Sequence, residues 1–132
     1  MNCVLDASAA FEVSFNGKDA EKIRKILYVA DVTYAPHLYI AEVTNVLWKY
    51  IKAGFITEQN AQITLALMLQ YVDIFTDCTD NTVEAMHEGI RLNHPVYDMY
   101  YFTLARRNAA LLLTKDKKLQ VLAKKEGVEV WE

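Results

Sequence analysis

The chain has 132 residues, a length suited to one domain, and with 53% hydrophobic and 23% charged residues it is not a disordered segment. Acidic residues outnumber basic ones 17 to 14, a formal net charge of −3, which excludes a protein that holds nucleic acid by overall positive charge. Four glycines and two prolines are few, so short loops between long elements are expected.

Residues 2–5 form a short apolar strand that ends abruptly at Asp6. Ser8 is placed to cap a helix running through Val13, and Asn16-Gly17 marks the first turn. From Asp19, Ile23, Ile26, Leu27 and Ala30 recur at helical spacing. Residues 32–35 predict a second strand closed by Pro36, and residues 37–53 a long helix ended by Gly54. Thr57 and Glu58 open another helix through Tyr71, followed by a strand at 72–75. Polar caps at 79–82 start a helix to Leu92, Asn93-His94-Pro95 breaks it, and a further helix covers 97–107. Residues 110–114 are the clearest buried strand. A helix at 117–125, Gly127 and a last strand at 128–131 complete the chain. Strands alternating with helices predict an α/β domain with a parallel sheet between helices.

Two acids follow strands directly, Asp6 after Cys3-Val4-Leu5 and Asp116 after Leu111–Thr114, while Asp98 stands at a helix start. In an open α/β sheet the strand ends are where ligands bind. Taken singly, each acid also reads as a helix cap or a partner of the helix dipole. Glu42 lies between Tyr39-Ile40-Ala41 and Val43, so its carboxylate marks either a solvated helix face or a functional one. Glu42, Asn45 and Lys49 share that face.

The ordered set Asp6-Ala-Ser8, Glu42-x-x-Asn45, Tyr97-Asp98 and Thr114-x-Asp116 resembles the PIN-domain nucleases. Within them it is most similar to the toxin ribonucleases of VapBC-type toxin–antitoxin pairs, over essentially the whole chain. The resemblance implies one PIN-like domain over residues 1–132, a three-layer α/β/α sandwich around a mainly parallel, roughly five-stranded sheet. It implies a catalytic, Mg²⁺- or Mn²⁺-binding pocket of Asp6, Glu42, Asp98 and Asp116, supported by the hydroxyls of Ser8 and Thr114. Asn45 would support the pocket or orient substrate. The implied reaction is hydrolysis of RNA to a 5′-phosphate and a 3′-hydroxyl. The implied partners are an antitoxin gripped by the helices at 37–53 and 58–71, and a second copy of the chain.

Counted by segment, residues 1–98 carry −6, residues 99–125 carry +6 and residues 126–132 carry −3. The basic segment holds Arg106, Arg107, Lys115, Lys117, Lys118, Lys124 and Lys125. Lys115, Lys117 and Lys118 flank Asp116 and are the candidates for RNA phosphate contacts. The helix at 58–71 is apolar almost all round, which asks for burial on more than one side. Tyr97, Tyr100, Tyr101 and Phe102 read as core or interface before base stacking. Of the histidines, His94 is the one nearest the expected pocket.

No run of about 18 apolar residues is present, so no membrane partner is expected. The first residues, with Asp6 and Glu12 and no basic start, do not read as a signal peptide. Cys3 and Cys78 form no C-x-x-C pair and read as reduced thiols; a cytoplasmic protein is expected. The alternatives are a non-catalytic PIN-like module that binds RNA or protein, and a phosphoacceptor domain. Leu5-Asp6-Ala7 lacks the paired acids of the latter.

Overall fold

The computed structural model describes residues 1–132. The elements follow as β1 (Asn2–Leu5), α1 (Ala7–Ser14), α2 (Ala20–Val29), β2 (Val32–Pro36), α3 (Leu38–Lys52) and α4 (Glu58–Gln70). Then come β3 (Ile74–Thr76), α5 (Thr82–Leu92), α6 (Val96–Arg107), β4 (Leu111–Leu113) and α7 (Lys117–Lys125). The strands form one parallel sheet in the order β3-β2-β1-β4. Cys3, Val4 and Leu5 of β1 are wholly buried, as a central strand covered on both faces must be. Val4 pairs with Tyr34 on one side and Leu112 on the other.

Helices cover the sheet in an α/β/α arrangement. α6 runs against β1, β2 and β4 and carries α5 on it, while α1 packs with α2, α3 and α4. Tyr101, Phe102 and Met99 of α6 meet the strand residues in one core of 27 buried side chains. No helix is long and apolar enough to cross a membrane.

Four strands stand where about five were expected. Residues 128–131 make only the bridge Leu112–Val130, through Leu112 N–H to Glu129 O (2.9 Å) and Trp131 N–H to Leu112 O (3.0 Å). The segment touches β4 at that one residue and does not extend the ladder into a further strand. β3 also starts later than expected. Asp73 bonds to both main-chain groups of Thr33, its carboxylate accepting from the N–H (2.8 Å) and its own N–H reaching the C=O (2.8 Å). An unforeseen 3₁₀ turn covers Cys78–Asp80, with Asp77 accepting from Thr79 N–H at 3.0 Å.

The turn from α5 to α6 depends on two backbone details. Asn93 takes a left-handed conformation with φ 51°, a state that Asn tolerates. Gly89 has no Cβ, and one placed there would lie 2.9 Å from Val96 Cγ2 and 3.1 Å from the His94 carbonyl oxygen. That close approach sets His94 and the first turn of α6 beside the end of the sheet.

Candidate active site

Asp6 sits where β1 becomes α1. Its N–H still bonds to Leu113 O of β4 (2.9 Å), and its own carbonyl accepts from Ala9 and Ala10 at 3.1 and 3.2 Å. It therefore holds the N-cap position that the sequence suggested for Ser8, though its carboxylate makes no capping bond. Ser8 and Thr114 each donate a hydroxyl to the same oxygen, Asp6 Oδ2, both at 2.7 Å. Ser8 Oγ in turn accepts from Lys115 N–H (2.9 Å) and Thr114 Oγ1 from Asp116 N–H (3.1 Å). Two amides of the β4–α7 loop are thus tied through two hydroxyls to one carboxylate oxygen. Gln120 fixes the same loop by donating Nε2 to Thr114 O at 2.7 Å.

The other acids are each held by one partner. Tyr101, buried in α6, donates its hydroxyl to Glu42 Oε1 of α3 at 2.7 Å. His94 Nε2 lies 2.7 Å from Asp98 Oδ2, four residues on. Asp116 Oδ1 caps α7 by accepting from Leu119 N–H at 3.0 Å. Asn45 is exposed one turn along from Glu42.

Electrostatics group three of the four acids. Asp6 is 7% exposed. Burial pushes its pKa up, against the Ser8 and Thr114 hydrogen bonds, and the neighbouring Asp98 adds to the rise. Glu42 is also raised, first by burial, with the Tyr101 hydrogen bond opposing and the charges of Asp6 and Asp98 adding to it. Burial, followed by the charges of Asp6 and Glu42, drives the Tyr101 phenol far above its ordinary range. Asp6, Glu42 and Asp98 therefore lie within each other's field. Asp116 joins them through the Thr114 hydroxyl.

The candidate RNA-binding lysines part company. Lys115 is paired with Asp19, and its Nζ lies 5.6 Å from the centre of the Trp131 ring. Lys117 and Lys118 are exposed on α7. Arg106 and Arg107 bond Glu84 at 2.7 and 2.6 Å, and Lys124 bonds Glu132 at 2.8 Å.

Sequence reasoning missed Tyr101 and undervalued His94. The i,i+4 spacing of His94 and Asp98 was a usable signal. Nothing local pointed from Tyr101 to Glu42, 59 residues away. Of the aromatic cluster, Tyr101 and Phe102 are core, as expected, and Tyr97 is exposed.

A family model described as PIN domain matches residues 3–125. Ribonuclease VapC1 from Mycobacterium tuberculosis is 30% identical over 118 residues, covering 89% of this chain and 87% of that protein. Ribonuclease VapC3 from Pyrobaculum aerophilum is 27% identical over 121 residues, covering 90% and 92%. Among solved structures, PAE2754 from Pyrobaculum aerophilum has a TM-score of 0.75 at 21% identity, covering 98% of this chain and 83% of that one. VapBC2 from Rickettsia felis, bound to a DNA fragment from their promoter, has a TM-score of 0.67 at 14% identity over the whole of both chains. Both structural likenesses concern the fold. Since the family match runs from β1 to the end of α7 and takes in all four acids, the chain belongs to the PIN domain family.

Proposed function

We propose that this chain is a divalent-metal-dependent endoribonuclease that acts in the cytoplasm as the toxin of a toxin–antitoxin pair. The observation that carries this reading is the field shared by Asp6, Glu42 and Asp98 at the end of the sheet, with Asp116 tied in through Thr114. The names of the relatives, Ribonuclease VapC1 and Ribonuclease VapC3, support RNA as the substrate.

The donor set fits Mg²⁺ or Mn²⁺ in kind, since every candidate ligand is a carboxylate oxygen. Each acid commits one oxygen to a protein hydrogen bond and leaves the other outside it. As the side chains stand, no three Asp, Glu, His or Cys are gathered around one point, so loading asks for side-chain adjustment among the acids. When bound, the ion would supply a water of lowered pKa and neutralise charge on the scissile phosphate.

The chain's own residues do the rest. Ser8 and Thr114 hold one oxygen of Asp6, Tyr101 one of Glu42 and His94 one of Asp98, so that the range over which each carboxylate can turn is limited. Lys117 and Lys118, at the start of α7, attract the polyanion that the acids would repel. Asn45 offers an amide to the substrate beside Glu42.

The antitoxin belongs on α3 and α4. α4 fully buries only Ala61 and Met68, so the second buried side expected from its apolar sequence is missing in the single chain. Trp48 is 54% and Ile63 57% exposed, and Leu47, Trp48, Ile51, Ala61 and Leu65 line a cavity of about 170 Å³ between the helices. Such a patch favours an apolar segment of a partner. The exposed stripe Val83, Met86 and Ile90 on α5 is the surface offered to a second copy.

Incubation of the purified chain with RNA tests the reading. Cleavage is expected with Mg²⁺ or Mn²⁺, giving 5′-phosphate and 3′-hydroxyl ends, and chelation should stop it. Full activity in excess EDTA contradicts the proposal.

A further inference from the structure

The seven basic side chains of residues 99–125 are not equivalent in space. Arg106 and Arg107 are committed to Glu84, Lys115 to Asp19 and Lys124 to Glu132. The three that remain, Lys117, Lys118 and Lys125, all line one cavity of about 490 Å³. Its other walls are Leu92 at the end of α5, Val121 and Leu122 of α7, and Glu126. The Glu126 carboxylate is engaged by Arg91 at 3.1 Å, so the free charge of the cavity is positive.

We propose that this cavity is a substrate subsite, in which single-stranded RNA leaving the acid pocket lays its bases on Leu92, Val121 and Leu122 and its phosphates on the three lysines. The proposal rests on the ribonuclease reading and adds to it the strandedness and path of the substrate. Position supports it, because Lys117 on the cavity wall is the first residue of α7 and follows Asp116, the N-cap of that helix. Length supports it as well. Lys117 and Lys125 are separated by a helical rise of about 12 Å, more than one nucleotide requires.

The chemistry narrows the occupant. Val121 is 68% exposed in the middle of the lysines, an apolar surface inside a cationic rim. A ligand that is anionic at its edge and flat and poorly hydrated at its centre complements both, and a nucleotide with its base unstacked is such a ligand. A duplex hides its base faces and cannot use the apolar floor. The floor is aliphatic, so it favours bases in general over any one base. Lys117, Val121 and Lys125 also border an adjoining cavity, where Lys124 is paired with Glu132 and Val121 is the one apolar wall; the Leu92 side is the one that offers an apolar floor to the bases.

The test measures binding of a single-stranded RNA of about ten nucleotides by fluorescence anisotropy, in an Asp98→Asn background that prevents cleavage, across a salt series. Lys118→Ala and Lys125→Ala are each expected to weaken binding several-fold and to lower the salt-dependence slope by about 0.7. Val121→Asp, at an exposed position that leaves the fold intact, should weaken it by about tenfold. Lys25→Ala on α2 should change neither quantity. Variants that bind like their parent overturn the path while cleavage by the wild-type chain keeps the ribonuclease reading. Duplex RNA bound as tightly as the single strand overturns the base-in-cavity arrangement. A wild-type chain that neither binds nor cuts RNA overturns both.

Discussion

Two groups of carboxylates in this protein meet opposite electrostatic fates. Glu84 and Glu88 lie on α5 where it packs against α6. Burial works to raise Glu84, but hydrogen bonds from Arg106 and Arg107 outweigh it and hold the group below its ordinary value. Glu88 is lowered by the Arg91 hydrogen bond, against burial, with the charge of Arg106 helping. At the end of the sheet, burial raises Asp6 and Glu42, and nearby acids add to the rise. There the available donors are hydroxyls, a phenol and an imidazole rather than guanidinium groups. The first cluster joins two helices; the second stores negative charge that folding alone does not need. Places where a local rule is broken in this way are where function is expected.

The sharpest way to break the comparison is Asp6→Asn. The amide oxygen can still accept from Ser8 and Thr114, and the buried charge is gone. Cleavage should fall on the order of a thousandfold, while the melting temperature of the metal-free protein stays level or rises. A fall in both measurements would make Asp6 a structural group. His94→Ala removes the donor on Asp98 and should lower activity or metal affinity by about 10- to 100-fold. His94→Gln, which can donate to the same oxygen, should recover part of that, as a Mn²⁺ titration of cleavage would report.

The satisfied cluster predicts smaller effects and the reverse pattern. Glu84→Gln weakens two ion pairs whose arginines are partly exposed, so a loss of about 1 kcal/mol is expected after solvent screening, or about 4 °C in Tm, with activity unchanged. The pH dependence separates the clusters further. For Glu88 the folded pKa is depressed, so its contribution is complete above the ordinary value of 4.5 and is lost as pH falls through the lower folded value. For Asp6 and Glu42 the folded pKa is raised. Their cost therefore grows as pH rises from the ordinary values of 3.8 and 4.5 and is complete above the folded ones. In Tm measured against pH, Glu88→Gln should flatten the acid limb and Asp6→Asn the limb above it. Identical curves for the two variants would erase the distinction.

Much of this was legible in the sequence because it is local. β1 and β4 are uninterrupted apolar runs ending in polar residues, and Ser8 and Thr114 stand two residues from acids. What was not legible depends on contacts distant along the chain. The basic excess of residues 99–125 looked free. Its arginines find Glu84, 22 and 23 residues back, and Lys115 finds Asp19, 96 residues away. Hydropathy could show that Tyr101 is core but not that its hydroxyl ends on Glu42. The final strand was misjudged because the alternation Val128-Glu129-Val130-Trp131 suits a strand but does not reveal that only Val130 pairs with β4.

Thermal unfolding of the wild-type chain and Asp6→Asn at neutral pH, with and without Mn²⁺, tests the central claim most directly. If the acids at the sheet end are charges that need a cation, the wild-type Tm rises with Mn²⁺, by about 2.7 kcal/mol of stability at a hundredfold excess over Kd. Asp6→Asn then starts at or above the metal-free wild type and responds little. Equal responses from the two proteins, or none from either, would contradict the account.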